Sequence, residues 1–186
     1  GASGLLVSPA DAFEEYQRND AWTWEHQALV RARMIYGDEP LQRAFADIRH
    51  SILCLPRESA ELKKQVTDMR IKMRDHLGGK KLGRFMLKQD PGGITDIEFL
   101  AQYLVLNYSH NKQKMTRWSD NVRIFELSIS QGIMDEDQAM AITNAYTAMR
   151  DQIHQRNLLN LDADVADDKF IHERELVIEA WNQWLC

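Results

Sequence analysis

The chain has 186 residues and a formal net charge of −5, with 44% hydrophobic and 27% charged residues. These values are typical of a globular domain with a sizeable core. No apolar run approaches the ~20 residues that a membrane helix needs, and the acidic balance argues against nucleic-acid binding. Only Cys54 and Cys186 are present, too few for a disulfide framework or a cysteine metal site, which favours a reduced, cytoplasmic setting.

Start and stop signals divide the first half of the chain into four predicted helices. Ser8, Asp20 and Asp38 are each expected to cap a helix, because their side-chain oxygens can accept a bond from a first-turn N–H group. Trp22 and Trp24 lie early in the second helix and are expected to anchor it, each burying ~150–250 Å². The four helices cover about residues 8–17, 20–36, 38–55 and 57–77.

The helical pattern breaks at residues 78–79, a Gly-Gly pair followed by two lysines that is interpreted as a helix end. Residues 80–94 are predicted to form a short extended segment and a turn. Asp162 and Asp164 are predicted to lie in a solvated acidic loop. The predicted fold class is an all-α helical bundle, forming a single domain over residues 1–186. The remaining helices cover about residues 95–108, 119–132, 135–159 and 168–185.

The charge is concentrated unevenly along the chain. Residues 61–90 hold nine Lys or Arg against four Asp or Glu, although the chain as a whole is acidic. Such a block is either a solvated helix face or a local field that attracts phosphate or another anion.

The run KQDPGGITDIEF over residues 88–99 is the most informative motif. Thr95 and Glu98 have the spacing of a capping box, and Asp96 adds a carboxylate where the helix dipole favours one. One interpretation is stabilisation of the helix start. The other is a site that presents Asp96 and Glu98 to a ligand, although residues two apart on a regular helix diverge.

The run WTWEHQALVRAR over residues 22–33 is the second dense motif. Glu25 and His26 are polar among large aromatic residues, while Arg31 and Arg33 lie on different sides of the helix. The run is either an amphipathic core helix with one internal ion pair or a helix whose arginine reaches a phosphate. The chain has no zinc-protease, hydrolase-elbow or phosphate-loop motif.

These two runs, the opening GASGLLVS and the ending ELVIEAWNQWL together resemble the bifunctional glutamine synthetase adenylyltransferase/adenylyl-removing enzyme family over essentially the whole chain. The resemblance implies a cytoplasmic protein with two nucleotidyltransferase halves. One half attaches AMP from ATP to a tyrosine of glutamine synthetase, and the other removes it by phosphorolysis under control of PII signalling proteins and glutamine. Mg²⁺ and ATP are the implied cofactors of the longer protein.

The catalytic carboxylates of that family have no counterpart in this sequence. The chain is therefore expected to be the C-terminal helical domain that follows a missing nucleotidyltransferase core, inert alone and without a catalytic residue, metal site or cofactor of its own. Its expected partners are that core, glutamine synthetase and PII. The residues expected to line the cleft are Glu25, His26, Arg31, Arg33, Lys88, Gly92, Gly93, Asp96 and Glu98.

Two alternatives stay open. The chain could be a helical module that binds a regulator or partner without contact to the chemistry, or the similar helical domain of the related PII uridylyltransferases. If Asp96 supports substrate or metal-bound groups, Asp96→Asn should reduce AMP transfer in the full-length enzyme and leave thermal stability nearly unchanged. If Asp96 only stabilises the helix start, stability and activity should fall together.

Overall fold

The structure, a computed structural model, describes residues 7–77 and 81–186 and is almost entirely helical. The all-α prediction is confirmed. The Gly-Gly pair at 78–79, Lys80 and the GASG opening lie outside the described residues. None of the described helices is long and apolar enough to cross a membrane.

The α-helices are α1 (Ala10–Asn19), α2 (Thr23–Arg31), α3 (Glu39–Leu53), α4 (Ser59–Leu77), α5 (Ile94–Tyr108), α6 (Asn121–Ser130), α7 (Glu136–Leu158) and α8 (Ile171–Leu185), with a 3₁₀ helix at Gln113–Thr116 and two strands, β1 (Arg84–Met86) and β2 (Asp164–Ala166).

Helix α5 is the centre of the bundle. It is buried from Ile94 to Leu106 with the single exception of Glu98, and it packs against α2, α4, α6, α7 and α8. A helix that is apolar nearly all round can be stable in water only when other helices surround it. The sequence of α5 therefore determines how the other helices are arranged.

Aspartate caps account for the helix starts that the sequence predicts correctly. Asp38 accepts a hydrogen bond from the backbone of Leu41, and Asp120 and Asp135 make equivalent bonds at the starts of α6 and α7. Each such side chain satisfies an N–H group that the first helical turn leaves without a partner.

Three predicted caps are wrong. Helix α1 follows Pro9 rather than Ser8, and Asp20 is the C-cap of α1 rather than the N-cap of α2. Helix α5 follows Gly93, so Thr95 lies inside the first turn, and the predicted capping box of Thr95 and Glu98 does not form. In none of the three cases is the predicted polar side chain used as a cap.

Helix α2 ends at Arg31, five residues before the predicted end at Tyr36. The guanidinium of Arg49 donates hydrogen bonds to the carbonyls of Leu29 and Val30, and also to those of Thr116 and Trp118. The buried Arg49 thus satisfies two carbonyls at the end of α2 as a hydrogen-bond donor. The helix stops there, and the backbone of the next residue, Ala32, is extended.

A second arginine plays a similar part after α3. Arg57 donates hydrogen bonds to the carbonyls of Ile52, Leu53 and Leu55 and to that of Leu106 near the end of α5. Burial lowers the pKa of Arg57 to about 10. The arginines at 49 and 57 therefore connect α2 and α3 to the 3₁₀ helix and to the end of α5 through main-chain carbonyls.

The two strands form an antiparallel ribbon that pairs Arg84 with Ala166 and Met86 with Asp164. The predicted extended segment is confirmed, but its partner strand is not in the prediction. Asp162 is exposed as expected, whereas Asp164 is only 3% exposed, so the solvated-loop prediction is wrong for Asp164.

Asp164 is surrounded by basic side chains, which explains how a carboxylate is stable there. Its oxygens accept hydrogen bonds from Arg84 (2.6 Å), Arg156 (3.0 Å) and Lys81 (3.1 Å). The hydrogen bonds from Arg84 and Lys81 hold the pKa of Asp164 at about 2, below its usual 3.8. These four residues are called the ribbon cluster below.

Candidate functional site

The Pro-Gly-Gly turn before α5 is packed into the protein. Gly92 has φ +80°, and a Cβ atom there would lie 2.6 Å from the backbone oxygen of Arg174 in α8. At Gly93 a Cβ would lie 2.7 Å from the carbonyl oxygen of Leu87. Both positions need glycine because backbone from elsewhere occupies the space of a side chain. Gly92 and Gly93 are buried, so close packing already accounts for the rigid turn.

Asp96 is the centre of a buried ion pair between α4 and α5. One carboxylate oxygen accepts a 2.6 Å hydrogen bond from Arg70 Nε, and the other accepts a 2.8 Å bond from the backbone N–H of Gly92. Arg74 approaches at 3.2 Å, and Arg70 also donates to the carbonyl of Gln89. The residues Arg70, Arg74 and Asp96 are called the α4–α5 cluster below.

Burial of this cluster limits what Asp96 can do. The Asp96 and Arg70 side chains are 4% and 1% exposed, respectively. Burial lowers the pKa of Arg70, and the charge of Asp96 opposes that change. Both oxygens of Asp96 are already bonded within the domain, so this carboxylate joins the turn, α4 and α5.

Glu98 points to a different neighbour. Its Oε1 accepts a 3.2 Å hydrogen bond from Arg31 Nη1, which also donates a 2.9 Å bond to the side chain of Asn121. The Arg31 and Glu98 side chains are 34% and 31% exposed. The structure therefore brings together two of the predicted site residues, one from each motif, at a partly open junction of α2, α5 and α6.

Arg33 and Lys88 are exposed. No hydrogen bond or ion pair to another described residue involves the side chain of either one. Both charges are available to a ligand or partner, unlike those of Arg70 and Asp96.

Glu25 and His26 have roles within the N-terminal helices. Glu25 accepts hydrogen bonds from the hydroxyl of Tyr16 and the backbone N–H of Trp22. His26 Nε2 lies 2.8 Å from the carbonyl oxygen of Gln17, and its Nδ1 lies 3.1 Å from the guanidinium of Arg57. Nε2 is therefore assigned as the donor and Nδ1 as the acceptor, which describes a neutral imidazole.

The physical cause of that neutral state is burial. Burial lowers the pKa of His26, and the nearby positive charge of Arg57 lowers it further, while the bond to Gln17 acts in the opposite direction. A protonated His26 would lose the lone pair that accepts from Arg57 and would place two cations in contact. His26 thus helps to fix α2 against the start of α4.

The two tryptophans of α2 do not anchor it as the sequence predicts. Trp22 is 71% exposed and Trp24 is 47% exposed, whereas Leu29 and Val30 are buried. The anchoring prediction is wrong because α2 starts at Thr23 and turns its buried face, with His26 and Gln27, towards the bundle. Large aromatic side chains are left on the surface beside α4.

Sequence reasoning missed Arg70 and Arg74, the cations that pair with Asp96. One signal was available, since Arg70 follows Leu62 and Val66 at four-residue spacing on the face of α4 that is buried. A cation on such a stripe indicates a buried carboxylate partner elsewhere.

Over the described ranges 7–77 and 81–186, no three His, Cys, Asp or Glu side chains come together as a group that could hold a metal ion. The α4–α5 cluster also does not suit a metal cation, because its single carboxylate is paired with two arginines.

Comparison with known proteins identifies the relatives of this chain. A family model described as glutamate-ammonia ligase adenylyltransferase matches residues 1–48, and one described as GlnD PII-uridylyltransferase matches residues 60–176. The curated "Bifunctional glutamine synthetase adenylyltransferase/adenylyl-removing enzyme" of Vibrio parahaemolyticus serotype O3:K6 (strain RIMD 2210633) is 74% identical over all 186 residues. The chain belongs to the glutamine synthetase adenylyltransferase/adenylyl-removing enzyme family.

The chain spans 20% of the length of that curated relative. The second family match extends from α4 into α8, so this helical region is shared with the PII-uridylyltransferase family. The resemblance drawn from the two sequence motifs is confirmed.

Proposed function

We propose that this chain is the helical domain beside the adenylylating centre of a longer enzyme that transfers AMP from ATP to a tyrosine of glutamine synthetase. The observation that carries the proposal is the 74% identity over the whole chain to a relative named for adenylyl transfer and adenylyl removal. The other half of the longer enzyme would remove AMP by phosphorolysis, with PII proteins as regulators, in the cytoplasm.

The described residues support a structural and positioning role for the domain. Asp96, Gly92 and Gly93 hold the entry to α5 rigidly, which fixes the position of Glu98 on the next turn. Glu98 and Arg31 present a partly exposed carboxylate and guanidinium from this rigid base. We propose that Arg31, Glu98, Arg33 and Lys88 face the nucleotidyltransferase core, with the two free cations towards phosphate.

ATP and Mg²⁺ would be held by residues outside this chain. The described residues do not offer a fitting donor set, because Asp96 is bonded to arginines and a backbone N–H, and Glu98 is paired with Arg31. The chain would contribute phosphate-facing cations to that site and no metal ligand.

The test uses a full-length protein that carries this chain, assayed for AMP transfer to glutamine synthetase. Arg33→Gln and Lys88→Gln should each raise the KM for ATP several-fold, because each removes an exposed charge from the proposed phosphate-facing surface. The melting temperature should not change, since neither side chain has a bonding partner within the described residues. Arg43→Gln on α3, also an exposed arginine, is the matched control.

Two outcomes contradict different parts of the proposal. If both variants keep the wild-type KM for ATP, this surface does not face the nucleotide. If the wild-type full-length protein does not adenylylate glutamine synthetase, the function itself is wrong. The isolated 186-residue chain should have no transfer activity in either case.

The second candidate is a module that binds a regulator without contact to the chemistry. The exposed Trp22 and Trp24 favour it, because large aromatic residues are enriched at binding surfaces. Unchanged kinetics in the arginine and lysine variants, combined with loss of regulation by PII in Trp22→Ser, would support this candidate instead.

A further inference from the structure

A groove lies between α2 and α4, with a polar first part and a mostly apolar second part. Two adjoining cavities, about 590 Å³ and about 480 Å³, share Trp24, Met69 and Lys72 along their walls. Met73 and Phe99 continue the apolar lining of the second cavity. This surface, called the α2–α4 groove, includes the tryptophan that the sequence analysis expected to be in the core.

The residues of α4 along the groove have the spacing of a helix-binding surface. Gln65, Met69, Lys72, Met73 and His76 recur every three or four positions, so they form one stripe. The stripe from residue 65 to residue 77 is ~18 Å long at ~1.5 Å per residue, the length of about three helical turns. Methionine side chains and a half-exposed tryptophan are typical of grooves that accept an amphipathic helix.

Negative charge is confined to one end of the groove. Asp20 and Asp68 lie in the first cavity, whereas His76 lies in the second and Lys72 borders both. An occupant that carries basic side chains at one end would be held in one orientation.

We propose that the α2–α4 groove binds an amphipathic helix from another part of the same longer polypeptide. The helix places its apolar stripe on Trp24, Met69 and Met73, and a basic side chain beside Asp20 and Asp68. The proposal depends on membership in a family of longer proteins, and it does not depend on the AMP-transfer assignment.

Two arguments favour a segment of the same polypeptide over other occupants. The curated relative is about five times as long as this chain, so most of such a polypeptide is available to cover the groove. A tethered segment acts at an effective concentration of ~1 mM, so even a groove with modest affinity is filled.

The experiment measures thiol labelling in the full-length protein. Lys72→Cys places a cysteine in the groove, and Leu159→Cys, at an exposed position after α7, is the matched control. Maleimide labelling is followed at each position by mass spectrometry, which separates these thiols from Cys54 and Cys186. Labelling of Lys72→Cys should be about tenfold slower than that of Leu159→Cys, as expected for a tethered helix at ~1 mM and a ~100 μM affinity.

A third variant tests whether the groove itself provides the protection. Trp24→Ser in the Lys72→Cys background should restore the labelling rate towards that of the control, without a change in melting temperature large enough to indicate unfolding. A heterobifunctional cross-linker attached to the cysteine at 72 should capture a peptide from outside these 186 residues in the same molecule.

Three results would overturn the proposal. The groove is open if Lys72→Cys labels as fast as Leu159→Cys. A second copy is the occupant if protection disappears on dilution from micromolar to nanomolar protein. A separate protein is the occupant if protection appears only when glutamine synthetase or PII is added. None of these readouts depends on AMP transfer, so failure here and failure of the proposed function are distinguishable.

Discussion

The α4–α5 cluster and the ribbon cluster both place one aspartate among several cations, but they differ in where the cations are. Asp96 is bonded to Arg70, whose side chain is 1% exposed. Asp164 is equally buried, but Lys81 and Arg84 beside it are 46% and 35% exposed. If Asp96 is removed, the charged guanidinium of Arg70 stays in the core without its partner. If Asp164 is removed, Lys81 and Arg84 can turn to water, although Arg156 is only 18% exposed.

The comparison predicts that exposure of the partner, rather than of the aspartate, determines the cost of losing a buried carboxylate. Removing one member of a buried pair is strongly destabilising because an uncompensated charge is left. Losing a hydrogen bond to a group that water can reach costs much less. The two clusters provide a matched test of this rule in one protein.

The largest effect is expected for Asp96→Asn. We expect it to lower the free energy of unfolding by about 3–5 kcal/mol, because Arg70 would lose its buried counter-ion. The sequence analysis expected nearly unchanged stability for an Asp96 that supports bound groups, and the buried pair with Arg70 leads to the opposite expectation. Urea unfolding at neutral pH measures the change. Asp162→Asn, whose side chain is 75% exposed, is the control and should change stability by less than about 0.5 kcal/mol.

A loss below about 1 kcal/mol for Asp96→Asn would show that Arg70 finds other partners or water, and the distinction between the two clusters would fail.

The glycines beside the two clusters provide the next test. Gly92→Ala should destabilise the protein by about 2–4 kcal/mol, because a positive φ adds to a collision with the backbone of Arg174. Gly83→Ala, next to the ribbon, has φ +68° but nothing within 4 Å of the new Cβ, so it should cost only about 1 kcal/mol. Thermal unfolding of both variants gives the comparison. Equal losses would mean that backbone conformation alone determines the effect and that close packing of the turn contributes nothing.

A smaller effect than at Asp96 or Gly92 is expected at Asp164. Asp164→Asn should cost about 1–2 kcal/mol at neutral pH, since its cations are partly hydrated. The folded pKa of about 2 lies below the usual 3.8, so its ionised form adds stability above pH ~4, and that contribution is lost as pH falls towards 2. The variant should therefore lose less stability than the wild type between pH 4 and pH 2, as measured by urea midpoints. Parallel pH curves for the two proteins would rule out this role for Asp164.

Local signals were sufficient for much of the fold. Asp38, Asp120 and Asp135 each act through a backbone N–H two or three residues away, so their helix starts could be predicted from a short stretch of sequence. Residues 84–86 were also recognised as extended. The pairing strand was missed because it lies about 80 residues further on, and the sequence offers only Asp164 and two small or branched residues there.

The candidate site was harder to predict for the same reason. Asp96 and Glu98 looked equivalent in the sequence, and the difference between them comes from which helix packs on each side. Asp96 faces Arg70 on α4, whereas Glu98 faces Arg31 on α2. The exposed positions of Trp22 and Trp24 could not be inferred from composition, since a large aromatic residue is as typical of a core as of a binding surface.

The arginines at positions 49 and 57 have a consequence for how this domain can be divided. The first family match ends at residue 48 and the second begins at residue 60, so both arginines lie in the interval between the two matches. Arg49 donates hydrogen bonds to the carbonyls of residues 29 and 30, before the interval, and to those of residues 116 and 118, after it. Arg57 donates a hydrogen bond to the carbonyl of Leu106, also after the interval. Dividing the chain within residues 49–59 would separate these arginines from carbonyls to which they donate hydrogen bonds. Neither side of this interval is therefore expected to fold as an autonomous module.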